Sequence, residues 1–213
     1  MRVKLCGMTN WKDVESAIEL GTDAVGFLVG ITHLAEDKIS VDEAAEIIKK
    51  VPPFVSKVAV THYEDSGQII PMLKYLNVDT VQLHSDISVE EIRKVRSSLP
   101  YIKIIKLVSV VDRKAVETAK EFMAEADALL LDSRTEDRLG GTGVTHDWSI
   151  SRQIVKEASV PVILAGGLCP ENLLQAINEV RPWGVDVNSG VEINGNKDFE
   201  RMKKFIQIAH STI

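Results

Sequence analysis

Short apolar runs alternate along this chain with longer stretches in which apolar residues recur every three to four positions. The runs, at 3–5, 24–29, 56–60, 79–83, 103–108, 128–131, 160–165 and 183–187, are too short for buried helices. Several carry almost no polar residue, the pattern of strands covered on both faces. Between them lie helical patterns. One runs from Asn10 to Leu20, one buries Ala44, Ala45, Ile47 and Ile48, and one carries Ile69, Ile70, Leu73 and Leu76. Others turn Ile92 and Val95 inward, span 112–123 and 148–158, follow Pro170, and span 199–208. Capping residues mark several starts: Asn10, Ser40, and Ser88 with Glu91 three residues on, which predicts a capping box.

Eight strand-then-helix units predict an α/β protein, a single-domain (β/α)8 barrel over residues 1–213. No linker, composition shift or low-complexity segment divides them. A doubly wound open sheet is the competing arrangement, because pattern alone does not show closure. Even spacing and glycine-rich exits after strands six, seven and eight favour the barrel. Trp11, Trp148 and Trp183, at helix starts or strand edges, are expected to pack rather than to form a stacking platform.

Composition narrows the class of ligand. With 45% hydrophobic and 26% charged residues the chain is globular, and its net charge of −6 argues against a nucleic-acid surface. An anionic ligand would need backbone N–H groups or a few placed cations. No signal-peptide core and no apolar run near ~20 residues is present, so a cytoplasmic protein without a membrane span is expected. Cys6 and Cys169 are expected to be thiols.

Barrels of this kind keep their chemistry at the carboxyl ends of the strands. Cys6 follows the first strand and Asp132 ends the sixth, so a thiol and a carboxyl would face one mouth, a pairing suited to base and acid. Taken singly, such a cysteine also reads as a small buried apolar residue and such an aspartate as a helix cap. The glycine clusters at 140–143, Gly166-Gly167 and Ser189-Gly190 read either as turns or as a phosphate cradle on the last three strand exits.

The wording of the sequence adds what spacing does not. Lys4-Leu5-Cys6-Gly7-Met8-Thr9, Val81-Gln82-Leu83-His84, Leu130-Leu131-Asp132-Ser133, Gly140-Gly141-Thr142-Gly143, Asp147-Trp148, Ala165-Gly166-Gly167-Leu168 and the segment from Gly184 to Glu192 resemble, in order and over nearly the whole chain, the phosphoribosylanthranilate isomerase family. The resemblance implies a barrel enzyme of tryptophan biosynthesis, an aldose–ketose isomerase of the Amadori type. It would turn an N-linked ribose 5-phosphate into an open-chain 1-deoxyribulose 5-phosphate. It implies Cys6 as general base at the sugar C2 and Asp132 as general acid on the ring oxygen. Backbone N–H groups around Gly141, Gly166, Gly167, Ser189 and Gly190 would hold the phosphate. No cofactor and no metal is expected, and the partner is a small phosphorylated substrate, with monomer or homodimer both open.

Two departures from the family concern the other end of the substrate. Family members carry an arginine after strand two that grips the anthranilate carboxylate. This chain has Asp37 and Lys38 in that stretch. Where the third strand usually ends in a Val-Phe-Val-Asn-like segment, this one has Thr61-His62-Tyr63. His33, Lys38, His62 and His84 are therefore candidate substrate-binding residues. The alternative they raise is a related barrel isomerase or lyase acting on a different phosphorylated substrate, with metal assistance if the histidines converge.

Overall fold

The computed structural model describes residues 1–32, 37–132 and 147–212. Eight strands, β1 (Arg2–Leu5), β2 (Ala24–Leu28), β3 (Ser56–Thr61), β4 (Thr80–Leu83), β5 (Lys103–Ser109), β6 (Ala128–Asp132), β7 (Val162–Leu164) and β8 (Gly184–Val187), form one closed barrel. All neighbours run parallel, and β1 pairs with β8 from Arg2↔Gly184 to Leu5↔Val187. That last pairing removes the open sheet from consideration.

The helices α1 (Trp11–Glu19), α2 (Val41–Ile48), α3 (Ser66–Leu76), α4 (Val89–Ser98), α5 (Lys114–Phe122), α6 (Trp148–Glu157), α7 (Leu173–Val180) and α8 (Phe199–Ser211) alternate with the strands. Most start where a side chain satisfies an orphan N–H. Ser40 makes a full capping box with Glu43. Ser88 caps α4, but the Glu91 carboxylate accepts from the Ser66 N–H instead, so it ties α4 to the start of α3. The helix after β7 begins at Leu173, beyond Pro170, because the Asn172 carboxamide bonds the Cys169 N–H and the Gly167 carbonyl and fills the intervening turn. β7 starts only after Pro161, which has no N–H for the ladder.

Two apolar shells hold the barrel. Side chains such as Phe27, Leu83, Leu129 and Phe205 fill the layer between strands and helices, while Leu28, Val58, Val60, Ile105, Leu130 and Ile163 fill the interior. At about 1.5–3 kcal/mol per buried side chain, these outweigh exposed pairs such as Lys49 with Glu46, worth about 0–1 kcal/mol each. Strand alternation also turns Lys4, Cys6, Gln82, Asp132 and Asp186 inward, five residues with chemistry inside an otherwise apolar wall. Lys106 points the other way. Its ammonium lies 4.6 Å from the centre of the Phe122 ring and donates to the Ser85 and Leu107 carbonyls at 2.8 Å. Burial pulls its pKa down to about 8, against the opposing pull of Asp86, Glu64 and Glu121.

Trp183 departs from the packing role expected of it. It is 53% exposed at the amino-terminal face, whereas Trp148 is buried. Two further elements follow β8: a 3-10 turn at Ser189–Val191, and a hairpin of β9 (Glu192–Ile193) and β10 (Asn196–Lys197).

Candidate active site

Cys6 stands one residue beyond β1, its N–H bonded to the Val187 carbonyl at 2.8 Å, with its side chain buried in the barrel interior. Two residues earlier on the same face, Lys4 Nζ meets Asp186 Oδ1 at 2.9 Å, and both side chains are less than 10% exposed. Room for this cluster comes from Gly26. A Cβ there would lie 2.8 Å from Cys6 Sγ and 2.9 Å from Lys4 Cε.

Burial opposes the charge on Lys4, but Asp186 and Cys6 outweigh it and hold the ammonium above the ordinary lysine value. At Cys6 burial dominates and pushes the thiol upward. Lys4 and, from farther off, Lys197 pull it down, and Asp186 adds to the rise. The resting thiol is therefore protonated near neutral pH, next to a cation able to stabilise the thiolate.

Asp132 closes β6 opposite Ser109 of β5 and is 8% exposed, on the interior face of its strand. Its carbonyl accepts from the Val110 N–H at 2.8 Å, which fixes the strand end that carries the carboxyl.

The exits of β7 and β8 meet. Gly166 and Gly167 both adopt left-handed backbone, φ +80° and +65°, which glycine takes up without a Cβ penalty. Gly190 lies so close to the Leu168 carbonyl that a Cβ would sit 1.8 Å from that oxygen, so only glycine lets the two loops touch. From α8, Arg201 donates through Nε and Nη2 to the Gly190 carbonyl at 3.2 and 3.1 Å and pairs with Glu171 at 3.0 Å. The carbonyl is thus turned toward the helix. Among the described residues, none accepts a bond from the N–H of Gly167, Ser189 or Gly190. Gly141, the remaining residue expected at this end, lies outside the described residues, as does His33.

Across the mouth, the exits of β3 and β4 bring His62 and His84 together, their rings stacked with centroids 5.4 Å apart and planes 16° from parallel. Gln82 Nε2 lies 3.0 Å from His84 Nδ1. Lys38 pairs through its backbone with Leu28 at the end of β2. Its neighbour Asp37 accepts from the Asn188 carboxamide and stands over Gly7, where a Cβ would lie 2.6 Å from Asp37 Oδ2. Lys197 Nζ in turn donates to the Asn188 carbonyl and side-chain oxygen and pairs with Glu192. Among the described residues no three of His, Cys, Asp and Glu converge as a metal site.

Lys4, Gly26, Gln82, Asp186, Asn188 and Lys197 were not among the expected site residues. For three of them the signal was present: Lys4, Gln82 and Asp186 are polar residues in the middle of strands otherwise apolar enough to be buried on both faces. Gly26, Asn188 and Lys197 carry no such mark, because their roles depend on which strands close the ring.

The family described as N-(5'-phosphoribosyl)anthranilate (PRA) isomerase matches residues 3–208. N-(5'-phosphoribosyl)anthranilate isomerase 2 of Methanosarcina mazei is 43% identical over 212 residues, covering 98% of this chain and 94% of the relative. A crystal structure of phosphoribosyl anthranilate isomerase in complex with reduced 1-(o-carboxyphenylamino)-1-deoxyribulose 5-phosphate superposes with a TM-score of 0.85 at 36% identity, covering 99% of both chains. Monomers generated from the dimeric enzyme of Thermotoga maritima superpose at 0.84 with 33% identity, again over 99% of both chains.

Proposed function

The chain belongs to the N-(5'-phosphoribosyl)anthranilate isomerase family, and on that premise we propose how its own residues carry the reaction. It is an isomerase that performs the Amadori rearrangement of N-(5'-phosphoribosyl)anthranilate in tryptophan biosynthesis. Two proton transfers make up the demanding part. Asp132, in its protonated form, gives its proton to the ring oxygen as the furanose opens, leaving a double bond between C1 and the anilinic nitrogen. Cys6, as thiolate, then takes the proton from C2, and the resulting enolamine relaxes to the ketone. Each proton is returned during the cycle, so no cofactor enters the balance.

One observation carries the reading: the thiol of Cys6 adjoins a buried ammonium that is itself held by Asp186, in space that Gly26 clears. A structural cysteine needs no such charge beside it. The phosphate is placed on the N–H groups of Gly166, Gly167, Ser189 and Gly190, with Gly141 as the remaining contact. This explains how a chain of net charge −6 holds a dianion. His62, His84 and Lys38, together with His33, are assigned to the end of the mouth that receives the aromatic amine. The chain acts as one cytoplasmic domain of residues 1–213, and no described helix is long and apolar enough to cross a membrane.

Steady-state turnover of freshly generated phosphoribosylanthranilate, followed by loss of anthranilate fluorescence, tests the assignment. Cys6→Ser and Asp132→Asn are each expected to lower kcat by about 10² to 10⁴ with little change in KM. Near-normal turnover in either variant removes that residue from the mechanism.

A further inference from the structure

We propose that Lys197 is a positioning residue for Cys6. From the β9–β10 hairpin its ammonium holds the Cys6–Gly7 segment through Asn188 and joins Lys4 in favouring the thiolate. The role rests on the isomerase reading, in which Cys6 is the base, and names a further residue that serves it.

Local sequence brings the lysine to its place. Asn194 and Gly195 both take left-handed backbone, φ +52° and +76°, as a two-residue hairpin turn matched to the strand twist requires. Ile193 then stands opposite Asn196, and Glu192 opposite Lys197. Cross-strand neighbours of opposite charge attract. Here they meet at 2.5 Å, with the lysine side chain 3% exposed and the glutamate 18%.

A buried ammonium is costly unless its N–H groups find acceptors. Besides the Glu192 carboxylate, Lys197 has two acceptors on one residue, the Asn188 carbonyl at 3.1 Å and its Oδ1 at 2.6 Å. The carboxamide is thereby fixed end to end. Its oxygen faces the ammonium and its nitrogen donates to Asp37, so a half-turn of the amide would set donor on donor and acceptor on acceptor. That oxygen lies against Gly7, where a Cβ would come within 2.3 Å of it. The preceding residue, Val187, accepts the Cys6 N–H at 2.8 Å. Successive residues of one strand end thus hold Cys6 and Gly7, Val187 by its main chain and Asn188 by its side chain, and Lys197 fixes the second of them.

Charge acts in the same direction. Lys4 from β1 and Lys197 from the hairpin pull the thiol toward its charged form, against burial and Asp186 of β8. Two further carboxylates flank the segment, Asp37 over Gly7 and Glu192 beside Lys197. Glu192 offsets the lysine at close range, so the two charges of the hairpin should move the thiol in opposite directions.

The test uses that difference of sign. Glu192→Gln leaves the ammonium on Asn188 without its counter-charge, and the thiolate fraction of Cys6 at a fixed pH should rise about three- to tenfold. Lys197→Met combined with Glu192→Gln removes the cation and its hold on Asn188, and the fraction should fall by a similar factor. Thiolate ultraviolet absorbance across a pH titration, taken as the difference from the same protein carrying Cys6→Ser, reads this without turnover. The kcat/KM for phosphoribosylanthranilate at that pH should change by the same factor and sign. A thiol titration unmoved in both variants overturns the inference, even where kcat/KM drops equally at every pH, as it would for a hairpin with a structural role alone. If the double variant does not fold, Glu192→Gln still decides, because a thiolate fraction that stays constant or falls there is enough to overturn it. Near-normal turnover in Cys6→Ser overturns the base assignment and this inference with it. That outcome is distinct from an essential Cys6 whose titration ignores the hairpin, which removes Lys197 alone.

Discussion

A thiol removes a carbon-bound proton only as thiolate, and burial works against that state at Cys6. The sign of the pH dependence follows. Because burial raises the thiol's pKa above its ordinary value, the thiolate proposed as the base is scarce at neutral pH and grows about tenfold per unit as pH rises. We expect kcat/KM for phosphoribosylanthranilate to climb from pH 7 past pH 8.5 with no plateau below that value. Lys4 is the counterweight, so removing its charge should move the rising limb to still higher pH. Lys4→Met alone strands Asp186 as a buried unpaired charge, at about 3–5 kcal/mol of stability. The Lys4→Met, Asp186→Asn double variant avoids that cost and is the one whose pH profile should be recorded. A limb that stays in place separates the pair from the base.

Between elements, the closest approach at the site is the one between the loops that follow β7 and β8. Gly190 meets the Leu168 carbonyl there, and Arg201 from α8 holds the Gly190 carbonyl from the other side. Gly190→Ala places a methyl group 1.8 Å from a backbone oxygen, which no side-chain rotation relieves. The loops must separate, and the N–H groups proposed to hold the phosphate move apart with them. The expected result is a KM at least tenfold higher, with inorganic phosphate losing strength as an inhibitor by a similar factor. An unchanged phosphate inhibition constant would mean that the cradle does not include this loop.

For the whole molecule, the carboxyl-terminal face is committed to chemistry and the amino-terminal face is open. A cavity of about 350 Å³ enters the barrel there between Ala24, Val58, Ile105, Ala128, Ile163 and Gly184, with Trp183 at its rim. On the same face, in the turn before β3, Phe54 is fully exposed with a left-handed backbone of φ +73°. From an aromatic ring held out in solvent at that strain, on the same face as an apolar hollow of side-chain size, we propose a homodimer in which each copy's Phe54 enters the other's cavity. Light scattering at micromolar concentration should give twice the chain mass of 23.5 kDa, and Phe54→Glu should give the single-chain mass with turnover retained. A wild-type monomer at that concentration would refute the association.

What the sequence determined by itself is whatever depends on near neighbours along the chain. Period and capping marked the eight strand–helix units, because burial on both faces of a strand and on one face of a helix leaves a local signature. The wording of the strand exits singled out Cys6, Asp132 and the glycine loops as candidates. What only the tertiary structure decided is what depends on closure. Pairing β1 with β8 brings Asp186 to Lys4, 182 positions away in sequence, and makes an ion pair beside the thiol out of two residues that each read, in their own strands, only as a polar residue in an apolar run. The same closure sets Asp37 against Asn188 and leaves His62 and His84 stacked across the mouth from the loops after β7 and β8. Neither arrangement could be read along the chain, since a strand's pattern states which face a side chain takes and not which side chain waits there from the other strands.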